Sequence, residues 1–114
     1  MFTIDHPITG AKIEVANKDF IHVMNWYDAK EACENLGHGW RLPTFDELVE
    51  IYHKFIPYDK GNFDDCDYWS STKHDGQESY WVCFAGSRNY STGGSVGGHN
   101  TNANRNRVRP VRTL

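Results

Sequence analysis

Residues 88–106 have the side-chain chemistry of a recognition surface. Tyrosine, serine, threonine and asparagine recur there around two Gly-Gly pairs, and apolar side chains are nearly absent. Tyrosine supplies contact area at a low entropy cost, while serine and asparagine supply adaptable hydrogen bonds. A solvated loop without a ligand is the alternative, although long loops in compact domains often have a function. The candidate ligand-binding residues are Arg88, Asn89, Tyr90, Ser91, Thr92, His99, Asn100, Asn102, Asn104 and Asn106.

An acidic loop offers a second kind of chemistry. Asp59, Asn62, Asp64, Asp65 and Asp67 bring side-chain oxygens together in sequence, and calcium takes six to eight oxygen ligands. The spacing does not fit an EF-hand, because no glutamate stands at its twelfth position. We therefore favour a solvated acidic loop and expect neither a metal nor another cofactor.

Histidines and cysteines give no catalytic pattern. The six histidines form no HxxxH pair, and none lies in a recognisable nucleophile motif with serine or cysteine. The three cysteines, Cys33, Cys66 and Cys83, form no CxxC motif. We predict that they are reduced and buried, and that the chain has no catalytic residues.

The charges are divided along the chain. All fifteen acidic residues occur at or before Glu78, whereas the later part contains no acid and five arginines. This asymmetry can indicate nucleic-acid binding, but there is no lysine cluster and the pI is about 6.0. Pairing of the C-terminal arginines with the acidic half of the same fold is the alternative, and we expect no nucleic-acid partner.

The length of 114 residues fits one domain, residues 1–114. No apolar run approaches the roughly 20 residues of a membrane-spanning helix. The N-terminal residues show no secretory signal. We therefore expect no membrane span, and the sequence assigns no compartment.

Two helices are predicted between residues 25 and 55. Asn25 can cap the first, whose buried face is predicted to contain Ala29, Ala32, Cys33 and Leu36. Gly37 then provides a left-handed residue that ends the helix.

The second helix begins with the capping box of Thr44 and Glu47. Its predicted buried stripe is Leu48, Ile51, Tyr52 and Phe55, and Pro57 marks its limit. Trp40 and Leu42, between the helices, are expected to point inward.

The remaining chain is predicted to form short strands and loops. Scattered apolar residues before residue 16 and the β-prone run at residues 20–24 indicate one or two strands around a turn. Residues 68–72, 80–84 and 108–112 read as further strands, the last an edge or bulged strand because of Pro110. The stretch between residues 84 and 108 is predicted to be loop-rich.

Several motifs occur in an order that is similar to a known family. They are Gly39-Trp40-Arg41-Leu42-Pro43-Thr44, Tyr68-Trp69-Ser70-Ser71-Thr72, Tyr80-Trp81-Val82-Cys83-Phe84 and Val108-Arg109-Pro110-Val111-Arg112. The sequence resembles the DUF1566 family, which is related to the C-terminal domain of Legionella collagen-like proteins. The resemblance implies an α+β, C-type-lectin-like fold, with two helices beside a twisted antiparallel sheet and a long loop-rich C-terminal region. Some members of this family are diversified by retroelements between the second and fourth of these motifs.

We expect a non-enzymatic recognition module, such as a receptor-binding or displayed protein of a phage or bacterium. Its ligand would be a protein or a glycan, and it could form a homo-oligomer or attach to a larger assembly. A structural subunit of a particle is one alternative. A diverged enzyme of the formylglycine-generating type is another, but such enzymes use a close cysteine pair near the C-terminus, and Cys83 has no partner nearby in sequence. The four tryptophans are expected to pack in the core rather than stack on sugars.

Overall fold

The computed structural model describes residues 1–84 and 96–114, which form two helices and two antiparallel three-stranded sheets. The expected α+β class is confirmed, with two sheets in place of one, and the arrangement is compatible with a C-type-lectin-like fold. In chain order the elements are β1 (Phe2–Asp5), β2 (Lys12–Val15), α1 (Trp26–Asn35), α2 (Phe45–Phe55), a 3₁₀ turn (Ile56–Tyr58), β3 (Asp67–Lys73), β4 (Glu78–Cys83), β5 (Val96–Asn100) and β6 (Val111–Thr113).

The first sheet joins the two ends of the described chain. Its strand order is β1-β2-β6, so the N-terminal hairpin pairs with the last strand. Val15 lies opposite Val111, and both side chains are fully buried. On its other side Val111 exchanges two backbone hydrogen bonds with Arg41, at 2.8 and 2.9 Å. The predicted last strand is therefore present, but it comprises only the three residues Val111–Thr113.

The second sheet has the order β3-β4-β5. The predicted strands at residues 68–72 and 80–84 are its first two members. The third, β5, corrects the expectation of loop structure after residue 84. Gly97 makes this pairing feasible, because a Cβ atom there would lie 3.0 Å from the ring of Trp81.

Both predicted helix starts are confirmed. The Asn25 side chain accepts a hydrogen bond from the Asp28 amide, and Thr44 and Glu47 form a reciprocal capping box. Gly37 has a φ of 71°, as a left-handed helix end requires. The expectation for Leu36 is wrong: its side chain is 46% exposed, since α1 ends at Asn35.

The run at residues 20–24 is not a strand. Within it, Met24 alone forms an isolated bridge, to Asn106. Neither helix in the described part of the chain is long and apolar enough to cross a membrane.

Two apolar clusters make up the core of the part of the chain that the structure describes. One packs α2 and the first sheet against Tyr68, Val82 and Phe84 of the second sheet region. The other surrounds Trp69 and includes these buried residues: Trp26, Ala29, Cys33, Leu42 and Val108. Trp26 and Trp69 are core residues as expected, but Trp40 and Trp81 are only partly buried.

The C-terminal arginines pair with acids of the same fold. Arg107 contacts Asp64, Arg109 contacts Asp19 and Arg112 contacts Glu14, at 3.0, 2.7 and 2.8 Å respectively. These three arginines therefore form ion pairs within the domain. Such pairing is the alternative to nucleic-acid binding that the sequence left open.

Candidate recognition surface

Five of the ten candidate ligand-binding residues lie on β5 and in the segment that follows it. His99 and Asn100 end β5, Asn102 and Asn104 lie in the next turn, and Asn106 bridges Met24. The other candidates lie outside the described residues: Arg88, Asn89, Tyr90, Ser91 and Thr92.

His99 packs against two tryptophans. Its ring stacks at a tilt on that of Trp81, with the ring centroids 4.7 Å apart and 30° between the planes. Trp69 contacts it edge-on at 6.1 Å. Nδ2 of Asn106 lies 3.0 Å from Nδ1 of His99. Since an amide nitrogen can only donate, Nδ1 accepts, and a neutral imidazole carries its proton on Nε2. The hydrogen bond with Asn106 and the contacts with the two tryptophans therefore fix the orientation of the His99 ring.

Asn106 is a buried residue that supports the fold. It is only 6% exposed, and its backbone N–H and C=O both pair with Met24, at 3.0 and 3.1 Å. Its side chain orients His99. Contact between Asn106 and a large ligand would need this segment to move.

Asn100 and Asn104 shape the turn with their side chains. Oδ1 of Asn100 accepts from the amides of Asn102 and Ala103, both at 2.9 Å. Oδ1 of Asn104 accepts from the amide of Asn100 at 2.8 Å. Asparagine is common in turns because its short side chain can bond nearby backbone in this way.

Thr101 ties the turn to the rest of the domain. The amide of Trp26 donates to the Thr101 carbonyl at 3.1 Å, and the Thr101 amide donates to the Gln77 carbonyl at 2.9 Å. The Thr101 hydroxyl donates to the same carbonyl at 3.2 Å. The turn is thus fixed to the start of α1 and to the β3–β4 hairpin.

Tyr27 and Lys73 stand beside this anchored turn. Tyr27 is 47% exposed, and Lys73 Nζ lies 5.2 Å from its ring centroid. A hydrogen bond with Thr101, and then the positive charge of Lys73, lower the pKa of Tyr27 below its ordinary value. The exposed side chains of Tyr27, Lys73 and Asn102 are called the turn surface below.

The sequence did not point to Tyr27 or Lys73. The sequence did contain a signal that the Tyr27 side chain is exposed, because Tyr27 follows the helix cap by two residues and lies outside the predicted buried face. No sequence signal brings Lys73 to Tyr27, because that contact depends on how β3 packs beside the start of α1.

A cleft of about 350 Å³ opens next to Asn106. Cys66 and Cys83 both line it, with Arg105 and Arg107. Cys83 therefore has a second cysteine in the same cleft, which spacing along the chain did not reveal. The prediction that all three cysteines are buried is wrong for Cys66, which is exposed, and Cys83 is half-buried.

Three carboxylates of the acidic loop lie in or beside the same cleft. Asp64 pairs with Arg107, which lines the cleft, and Asp65 and Asp67 line it directly. Among the described residues, the His/Cys/Asp/Glu ligand atoms that lie within 4.8 Å of one another belong to His74, Asp75 and Glu78 instead. Asp75 there closes the β3–β4 turn by accepting from the amides of Gln77 and Glu78.

The chain belongs to the family described as the Lcl C-terminal domain, which matches residues 11–112. This confirms the resemblance drawn from the ordered motifs, and the match spans every element from β2 to β6. No curated protein matches the chain.

Proposed function

We propose that this domain is a non-enzymatic recognition module that binds a protein or glycan ligand through the turn surface. In this proposal the domain is part of a displayed or receptor-binding protein of a bacterium or phage, and the site needs no cofactor.

The anchoring of the turn is the observation that carries the proposal. Thr101 is 1% exposed and bonded to both α1 and the hairpin, whereas Asn102 beside it is exposed. A turn fixed in this way loses little conformational entropy when a ligand binds. Tyr27 adds an aromatic side chain and Lys73 a positive charge, and aromatic and basic groups often dominate the energy of an interface.

A glycan array and a phage-displayed peptide library, both probed with the folded domain, test the proposal. The ligands selected are then titrated against Tyr27→Ser, Lys73→Gln and Asn102→Ala. We expect Tyr27→Ser to weaken binding by about tenfold or more, because an anchor residue commonly contributes at least 1.4 kcal/mol.

Tyr58→Ser is the matched control, since Tyr58 is 69% exposed and lies at the far end of α2. It should bind like the unmodified domain. The double variant Cys66→Ser, Cys83→Ser should also keep full binding, because the proposal requires no chemistry at the cysteine cleft. Unchanged binding by all three turn-surface variants, or no selected ligand on either platform, would contradict the proposal.

An assembly role remains the second candidate, because the turn surface could join subunits instead of capturing a free ligand. Sedimentation of the domain over a range of concentrations separates the two. Self-association that Asn102→Arg abolishes would favour assembly over ligand recognition.

A further inference from the structure

A second cleft lies away from the turn surface, between the end of α1 and the segment that follows β2. Its volume is about 350 Å³, which falls in the range of small-molecule sites. Apolar side chains form much of it, and polar residues complete its rim. The lining residues are Glu14, Ala16, Asn17, Lys18, Asp19, Phe20, Leu36, Trp40 and Pro110.

Trp40 is a fixed aromatic platform in this cleft. The guanidinium of Arg112 lies 4.6 Å from its ring centroid, and Nε of Arg112 donates to Oε1 of Glu14 at 2.8 Å. Arg112 does not line the cleft, so the part of the indole that Arg112 leaves uncovered is available to a ligand. Leu36, which sequence periodicity placed in the core, instead contributes its exposed side chain to the cleft wall.

The charges of the cleft favour an anion. Its two carboxylates are already neutralised, because Glu14 pairs with Arg112 and Asp19 pairs with the buried Arg109. Lys18 is exposed and forms no ion pair with any residue in the described ranges. Lys18 is therefore the charged group in the cleft that is left to meet a ligand.

We propose that this cleft binds a small carboxylate with an apolar ring or branched aliphatic body. The body would pack on Trp40, Phe20 and Leu36, and the carboxylate would reach Lys18. The cleft shares no residue with the turn surface, so the proposal of this second site can be tested independently of the proposed recognition function.

An NMR titration with three matched probes tests the proposal. The probes are 3-phenylpropionate, its neutral amide, and propionate, which lacks the ring. We expect 3-phenylpropionate to shift the Trp40 indole and Leu36 methyl signals, and to bind about threefold more tightly than the amide, the effect of one exposed ion pair. Propionate should cause no comparable shifts, because it has no ring to pack on Trp40.

Substitutions separate the two parts of the site. Lys18→Gln should bring the affinity for the acid down to that for the amide, and Lys54→Gln, on α2, should leave the preference intact. Trp40→Ala should abolish binding of both, and Trp40→Phe, which keeps an aromatic ring, should retain it even if the alanine variant fails to fold. Shifts that map elsewhere, or equal affinity of the unmodified domain for acid and amide, would overturn the proposal.

Discussion

Arg109 donates its Nε proton to Oδ1 of Asp19 at 2.7 Å, across ninety residues of chain. The Arg109 side chain is fully buried, and its other nitrogens donate to the carbonyls of Ala16, Gly61 and Asn62. Oδ2 of Asp19 accepts from the Tyr68 hydroxyl at 2.6 Å. This ion pair therefore has its hydrogen bonds satisfied on both sides and joins three distant segments.

Removal of Asp19 should be strongly destabilising. Asp19→Ala leaves the Arg109 charge buried without its partner, so we expect a loss of about 3–5 kcal/mol in the free energy of unfolding. Asp5→Ala is the control, because the Asp5–Lys12 pair is exposed on both sides and should contribute about 0–1 kcal/mol. Urea unfolding of both variants measures the difference, and equal losses would contradict this account.

Glu47 should make stability depend on pH. Burial alone would raise the pKa of Glu47, but hydrogen bonds from Arg41 and the Thr44 amide, with the charges of Arg41 and His6, together hold it below its usual value. A lowered pKa in the folded state means that the ionised carboxylate stabilises the fold above the unfolded pKa of about 4.3. This contribution is lost as the pH falls through the lower, folded-state value.

Glu47→Gln should therefore be less stable than the unmodified domain at neutral pH, and the gap between them should narrow in acid. Urea unfolding of both proteins at a series of pH values measures this difference directly. A gap that stays constant from neutral to acidic pH would show that Glu47 does not act through its charge.

The thiols should differ widely in reactivity. Burial, and then the nearby charge of Glu34, raise the pKa of Cys33 to about 12, so this thiol stays protonated and unreactive at neutral pH. Cys66 is exposed and should react first with a disulfide reagent such as DTNB, while Cys33 should react only on unfolding.

Thermal melts with and without reductant should agree, because the core and not a disulfide holds the fold. A large fall in the melting temperature on reduction would be the contrary result.

Substitution of Asn104 and of Asn102 should affect the stability of the domain differently. Asn104→Ala removes the acceptor for the Asn100 amide and should cost about 1 kcal/mol, the net value of one hydrogen bond. Asn102→Ala should leave the free energy of unfolding nearly unchanged, since its side chain is exposed and none of the described residues hydrogen-bonds to it. Equal melting temperatures for the two variants would contradict this difference.

Local chemistry made the helices predictable. Asn25, Gly37, Thr44 and Glu47 act within a few residues of sequence, and each has the predicted role. The aromatic and β-prone residues at 68–72 and 80–84 similarly predict β3 and β4. Leu36 fits the helical period but lies just beyond the last turn of α1, where the core no longer covers it.

Long-range packing made the rest unpredictable. The glycines and the asparagine of β5 have low strand propensity, and the strand is fixed by its pairing with β4 and by the Trp81 ring against Gly97. The same holds for the turn surface, where Tyr27 meets both Thr101 and Lys73 only after folding. The charge asymmetry of the sequence left pairing of the later arginines with earlier acids open as an alternative, but it does not say that Arg109 pairs with Asp19.

The pairing of β2 with β6 has a kinetic consequence. Ile13 lies opposite Thr113, so the sheet that holds the N-terminal hairpin cannot close until nearly the whole domain has left the ribosome. Contacts between residues this far apart in sequence slow folding, because the loop entropy is lost before the contacts form. During synthesis the edge of β2 that later receives β6 is open, and an open strand edge can pair with another chain. Synthesis of the last strand is therefore the step that removes this route to aggregation.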